Sequence, residues 1–264
     1  MNKVVVITGS TRGIGYGLAA SFLDKGCHVV VNGRNSMSLE KAVKVLQEMY
    51  GEGRVIGLRC DVTVESELKR LWDRAIMEWD KVDLWVNNAG MTNPPIRTWE
   101  QATQDIQEVL QTNVLGTIIG SHIALNGMKT QGFGALYNVE GFGSDGRKMK
   151  DLTIYGTTKA AIRYFTEALA KEAENLPLII GSISPGMVVT ELMTGVYEVG
   201  SEKEAQMKRA LNLLGDRVET VTPWLVKNML SNQTSGKRIQ WLTRRKILAR
   251  VLLGKLRKRQ VLTS

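Results

Sequence analysis

The chain opens on a strand with no polar alternation, KVVVI at 3–7, which runs straight into a glycine-rich turn and then a segment of helical spacing. A strand that is apolar on both of its faces has to be covered on both, so this opening already demands helices on two sides of a sheet. The unit then repeats. Apolar runs recur at 28–31, 54–58, 82–86, 135–139 and 178–183. Between them Leu18, Phe22 and Leu23, then Leu39, Val43 and Leu46, then Leu68, Leu71, Trp72 and Ala75 fall at helical spacing. Strand and helix in strict alternation predict a parallel sheet, and right-handed crossovers make it doubly wound. The expected fold is therefore α/β, in a single domain over 1–243. Pro94–Pro95, Pro177 and Pro185 fall where loops turn or elements start.

Composition narrows the classes of chemistry. With 264 residues, 43% hydrophobic and 23% charged, the chain can build one large core without staples. Two cysteines, Cys27 and Cys60, and two histidines, His28 and His122, exclude a disulfide scaffold and argue against any metal centre. No apolar stretch approaches the ~20 residues that span a bilayer. With a strand starting at Lys3, no signal or transit peptide is expected ahead of it unless one has been trimmed away. The expectation is a soluble or peripheral-membrane chain, cytoplasmic in a prokaryote or stromal in a trimmed plastid protein.

The net charge of +9 is unevenly placed. Ten basic residues lie in 237–264, where no acidic residue occurs, so the first 236 residues sum to −1. Such asymmetry marks an appended surface element at 244–264. No recognition motif or aromatic platform accompanies the charge, so nucleic acid is not the expected partner.

Thr8-Gly9-Ser10-Thr11-Arg12-Gly13-Ile14-Gly15 follows the first strand and opens a helix. Gly9 lets the chain leave the strand sharply, Gly13 admits close approach of a pyrophosphate, and Gly15 lets helix pack on sheet. The helix N-terminus then offers free N–H groups to phosphate, with Thr11, Arg12 and Ile14 around it. An acidic residue after the second strand would select NAD, but 32–36 reads Asn-Gly-Arg-Asn-Ser. Arg34, with Arg12 across the turn, suits the forked geometry of a 2′-phosphate, so the expected cofactor is NADPH. Two solvated surface arginines are the alternative.

A phenol is a poor proton shuttle at neutral pH unless a neighbouring cation lowers its pKa. Tyr155 and Lys159, four residues apart, share a helix face, so the ammonium can stabilise the phenolate and reach a ribose hydroxyl. Thr8–Gly15, Asn87-Asn88-Ala89-Gly90, Tyr155-Gly156-Thr157-Thr158-Lys159 and Pro185-Gly186 together resemble, in order and spacing, the successive motifs of the short-chain dehydrogenases/reductases. The resemblance covers nearly the whole chain. It implies a seven-stranded Rossmann-type sheet, a nicotinamide cofactor, a homodimer or tetramer, and a mobile substrate loop over roughly 190–220. It makes Asn113 the proton-relay asparagine, with a capping or core-polar role as the alternative. It places Asp61 and Val62 near the adenine, unless Asp61 is only an N-cap. By the same resemblance Asn88, Ala89 and Gly90 would line the cofactor crevice, Thr190 would meet the nicotinamide carboxamide, and Pro185, Gly186 and Val188 would also bind the cofactor.

One departure stands out. The family places a serine after the fifth strand to orient the substrate carbonyl, whereas 138–144 reads Asn-Val-Glu-Gly-Phe-Gly-Ser. Gly141 or Phe142 takes the serine's place. The expectation is that a flexed loop returns the Ser144 hydroxyl as the fourth catalytic group, or that a backbone N–H serves instead. This loop, with Ser-Pro-Gly-Met-Val-Val-Thr-Glu-Leu at 184–192 and the Gly236–Thr243 ending, closely resembles the chlorophyll b reductase branch. That branch uses NADPH to reduce the C7 formyl group of chlorophyll b or chlorophyllide b to hydroxymethyl. A large planar formyl pigment is the substrate the resemblance implies. Leu192, Met193, Val196, Tyr197 and Met207, with Trp99 and Phe142 at the entrance, can supply an apolar cleft for it. A general carbonyl or 3-oxoacyl reductase and a non-catalytic NADPH-binding adaptor are the other readings.

From Arg244 onward Ile247, Leu248, Val251, Leu252 and Leu256 fall at helical spacing among Arg244, Arg245, Arg250, Lys255 and Arg257, with Trp241 just ahead. A basic amphipathic helix of this kind can lie on an anionic membrane surface or dock a partner subunit. A helix packed against its own chain is the alternative.

Overall fold

Neighbouring residues of β1 (Val4–Ile7) go to opposite cores: Val5 and Ile7 into one, Val4 and Val6 into the other, all fully buried. The protein, described here from a computed structural model that covers residues 2–254 and 259–262, is built around this central strand. On one side lie α1 (Gly13–Asp24), α2 (Ser36–Tyr50) and, from the far end of the chain, α9 (Val218–Ser231), through Leu18, Phe22, Leu46, Val221 and Leu225. On the other lie α3 (Glu65–Trp79), α5 (Gly116–Gln131) and α6 (Thr153–Glu172), through Leu68, Leu71, Trp72, Met128 and Ala170. Each fully buried large apolar side chain contributes roughly 1.5–3 kcal/mol relative to exposure.

The remaining strands are β2 (His28–Gly33), β3 (Val55–Arg59), β4 (Leu84–Asn87), β5 (Gly134–Val139), β6 (Leu178–Ser184) and β7 (Arg238–Gln240). All pair in parallel, in the order β3-β2-β1-β4-β5-β6-β7. Ile7, Val86, Tyr137 and Gly181 lie in one row across the sheet, so the strands end nearly level. The winding reverses between β1 and β4, and a ligand crevice forms at the carboxyl ends of the strands at such a point. The segments that leave those ends are the glycine turn, 88–90, 140–144 and 185–190, the same segments that carry the sequence motifs.

Several boundaries differ from the sequence pattern. β2 runs two residues beyond its apolar run because the Asn32 side chain is satisfied there, donating to Cys60 O at 2.9 Å and accepting from the Gly9 N–H at 3.0 Å. β7 has three residues, of which only Ile239 is buried, too short for periodicity to reveal. Pro223 lies inside α9, neither at a helix start nor in a loop. Helix α4 (Thr103–Leu110) passes into α5 through a π-helical turn, Gln111–Leu115.

The charged tail folds back onto the chain. Helix α10 (Arg244–Gly254) follows β7 and packs on α8 (Glu202–Leu214). Buried Asp216 gathers it in: Arg250 pairs with its carboxylate at 2.7 Å, Arg259 at 2.9 Å, and the Trp241 indole donates to it at 2.7 Å. Lys246 lies over the Trp241 ring at 3.0 Å. Trp241 and Arg250 therefore face the protein, as in the alternative of a helix packed against its own chain. Leu248, Val251 and Leu252 face outward. Lys255, Leu256 and Arg257 lie outside the described residues. Among the described residues no helix is long and apolar enough to cross a membrane, and no group of three or more candidate metal ligands occurs.

Candidate active site

The glycine turn is built for close approach. Gly9 has φ +62°, and a Cβ there would stand 2.8 Å from Ala89 Cα. A Cβ on Gly15 would meet Gly9 O at 2.3 Å and the Asn88 side chain at 2.4 Å, so α1 presses directly on the turn. Asn88 donates to Thr8 O and Gly9 O, both at 2.9 Å, and the Thr8 hydroxyl accepts from the N–H groups of Asn88 and Ala89 at 3.0 Å. Gly13 has φ +57° and faces Thr190. No side chain caps α1 and no acidic residue occupies its first turn, which leaves its positive end open to an anion. Thr11 packs over Gly33, and Ile14 rests on the core.

The two arginines stand at the rim. Arg34 lies 3.9 Å from Asp61, and Arg12 reaches across the crevice to Glu191 at 2.6 Å, with both members of the latter pair about three-quarters exposed. Asp61 itself accepts from the Thr63 N–H and hydroxyl, closing a local turn, while its own N–H donates to Glu67. It does not cap α3, whose N-cap is Val64. Val62 is buried against Gly116. A cradle that side chains would fill, an uncapped helix start and two exposed guanidiniums fit a dinucleotide carrying a 2′-phosphate.

Tyr155 and Lys159 come from the first turns of α6. Lys159 is buried and donates to Val139 O at 3.2 Å; its ammonium stands 5.7 Å from the centroid of the Tyr155 ring. Burial pulls Lys159 down to about 8, opposed by the Glu140 carboxylate. Burial pushes the Tyr155 phenol up to about 12. The expected lowering by the ammonium is not seen, and loss of solvent alone sets the direction. Asn113, in the π-helical turn, is fully buried: its amide joins both backbone groups of Met91 (2.8 and 2.9 Å) and the Thr158 hydroxyl (3.0 Å). Gly90 lies between the Asn113 amide oxygen and Lys159 Nζ. A π-turn at such a place is a common functional distortion.

Ser144 departs from expectation. Its hydroxyl donates to Glu140 at 2.9 Å and is buried, so it is not turned toward a substrate. The residue against the phenol is Gly141, where a Cβ would stand 2.4 Å from Tyr155 Oη. The cause is Glu140, a carboxylate with no solvent exposure that draws in the nearby donors.

Pro185, Gly186, Val188 and Thr190 follow β6. Gly186 has φ +79°, Val188 is buried and bridges Asp216 through the backbone, and Thr190 stands at the start of α7 (Glu191–Thr194). The segment beyond is tied down by Lys203 of α8, which donates to Pro95 O and to Asp151, both at 2.8 Å. Asp151 also faces Arg97 and is held below the usual carboxylate range, chiefly by the Lys203 hydrogen bond. Asn93 accepts from the Tyr155 N–H at the start of α6. Trp99 is exposed, and Phe142 stacks with Arg147 at 5.6 Å. Sequence reading missed Asn32, Asn93, Glu140, Asp151 and Arg238. Only Glu140 left a local signal, an acid placed directly after a buried strand.

A profile described as short chain dehydrogenase matches residues 3–199. The chain belongs to the short-chain dehydrogenase family. Among curated short-chain dehydrogenases, it is 35% identical to chlorophyll(ide) b reductase NOL of Arabidopsis thaliana over 97% of this chain and 76% of that protein. It is 33% identical to the probable chlorophyll(ide) b reductase NYC1 of the same plant over 96% of this chain, which spans about half (53%) of that longer protein. A solved structure described as ElxO with NADP bound is 26% identical, with a TM-score of 0.80 over 91% of this chain and 97% of that one. L-sorbose reductase from Gluconobacter frateurii, solved with NADPH and L-sorbose, shares the fold at 23% identity and TM-score 0.79, over 91% and 95% of the two chains. As a short-chain dehydrogenase, the chain is an NAD(P)H-dependent carbonyl oxidoreductase.

Proposed function

We propose that this short-chain dehydrogenase uses NADPH to reduce a formyl group on a large planar pigment, the C7 formyl of chlorophyll b or chlorophyllide b, to hydroxymethyl. The observation that carries the reading is the placement of Tyr155: its hydroxyl stands against Gly141 with the Lys159 ammonium 5.7 Å from the ring centroid, so a proton donor and the cation that stabilises its phenolate are held side by side. The 35% identity to NOL over nearly the whole chain supports the substrate.

Gly9, Gly13 and the start of α1 hold the pyrophosphate, Arg34 and Arg12 the 2′-phosphate, and Lys159 a ribose hydroxyl. The bound cofactor supplies a hydride to the carbonyl carbon. Tyr155 gives its proton to the carbonyl oxygen as that oxygen gains charge. Lys159, one helical turn away, stabilises the phenolate left behind. Asn113 fixes the Met91 backbone beside them. Trp99 is exposed and Phe142 lies in the loop after β5; with the segment tied by Lys203 they would supply apolar surface for a wide, flat ligand.

The test is turnover of the formyl pigment with NADPH, followed by the shift of its absorption band on conversion to the alcohol. Tyr155→Phe should abolish turnover while NADPH still binds. If a small ketone or acyl thioester is reduced and the pigment is not, the chain is a general carbonyl reductase instead.

A further inference from the structure

Glu140 has a side chain with no solvent exposure. A buried carboxylate is unfavourable unless it is fully paired. Here it is: Oε2 accepts from Ser144 Oγ at 2.9 Å and from Arg238 at 2.8 and 2.7 Å, and Oε1 accepts from Ser182 Oγ at 2.7 Å. These donors come from three places, the loop itself, β6 and β7. The carboxylate therefore ties both ends of 140–144 to the far side of the sheet.

Between those ends the backbone closes on itself, Ser144 N–H donating to Gly141 O at 3.2 Å. Two glycines then press on the start of α6. Gly143, at φ +97°, faces Gly156 so closely that a Cβ would stand 2.5 Å from its Cα, and Gly141 lies against Tyr155 Oη. The N–H groups of Gly141, Phe142 and Gly143 have no protein acceptor among the described residues.

We propose that Glu140 is a positioning residue: it folds 141–144 into a turn whose backbone N–H groups, rather than a serine hydroxyl, hold the substrate oxygen beside Tyr155. This rests on the reductase reading above and concerns how that site orients its carbonyl. Backbone N–H groups fixed against a developing oxyanion form a familiar stabilising device. Glycine at 141 also leaves no side chain against the phenol, so a carbonyl borne on a wide, flat skeleton can approach where a serine would stand in its way.

The charged groups around Glu140 are Arg238 on β7, Lys159 and Arg163 on α6, and the Asp145–Arg147 pair in the loop. Glu140→Gln keeps an acceptor but removes the charge that opposes the lowering of Lys159. The limb of the pH–rate profile that belongs to Lys159 should therefore move to lower pH, which a purely structural role would not produce.

The test measures kcat, KM and NADPH affinity for Glu140→Gln, Ser144→Ala and Gly141→Ser. Each is assayed on whichever carbonyl the wild type reduces, so a wrong pigment defeats only the earlier reading. Glu140→Gln should lower kcat at least about tenfold with NADPH affinity within about twofold, Gly141→Ser should lower kcat similarly by displacing the phenol, and Ser144→Ala should lose less than about tenfold. Should Glu140→Gln fail to fold, the other two decide. A Ser144→Ala loss as large as that of Tyr155→Phe, or a Gly141→Ser enzyme as active as wild type, overturns the proposal.

Discussion

Replacing Arg34 by alanine should weaken NADPH binding by about 5- to 30-fold and leave NADH binding unchanged. A hydrogen bond to a charged group is worth about 1.5–3 kcal/mol. Arg34 is 61% exposed, which places its contact with a 2′-phosphate toward the lower end. It must also leave Asp61, 3.9 Å away, an exposed pairing worth at most about 1 kcal/mol. The difference is about 1–2 kcal/mol, which gives the stated range at about 1.4 kcal/mol per decade. Arg12 begins from a shorter ion pair, 2.6 Å from Glu191, so Arg12→Ala should cost less than Arg34→Ala. Glu191→Gln, which frees Arg12, should tighten NADPH by a few-fold. Fluorescence titration with both cofactors at low and moderate salt measures all of these. Equal losses for NADPH and NADH in Arg34→Ala would refute the assignment of the arginines to the 2′-phosphate.

Two further predictions concern stability. Lys159 binds its proton less tightly folded (about 8) than unfolded (~10.4), so between these values the unfolded chain carries more protons and stability rises with pH. Lys159→Met removes this dependence, so relative to that variant the wild type should gain stability as pH rises from about 8 to 10, read from urea midpoints; a constant difference would contradict it. Asp216→Asn breaks an ion pair with Arg250 in which both side chains are nearly buried, a loss of about 3–5 kcal/mol, to which the more exposed Arg259 adds little. The melting temperature should fall by about 6–20 °C. A melting temperature within 2 °C of wild type would show that the tail is not held by this carboxylate.

The layered sheet was legible because each of its longer strands announces itself locally: apolar runs need cover on both faces, and the helices between them carry that cover at fixed spacing. The glycine turn, Tyr155 and Lys159 were legible for the same reason, since each depends on neighbours within one turn of chain. What sequence spacing left open was decided across the sheet. Glu140 meets Arg238 98 residues away, and that contact turns Ser144 inward and brings Gly141 to the phenol. Asp216 likewise collects Arg250 and Trp241, so a helix that reads as a basic, outward-facing surface sends its central arginine into the protein. A buried charge takes its partners from whatever the fold brings within about 3 Å, and no local pattern records which strand or helix that is. Sequence by itself determined that strands and helices alternate and which backbone turns await a nucleotide; tertiary contact alone decided which polar groups are left facing the crevice.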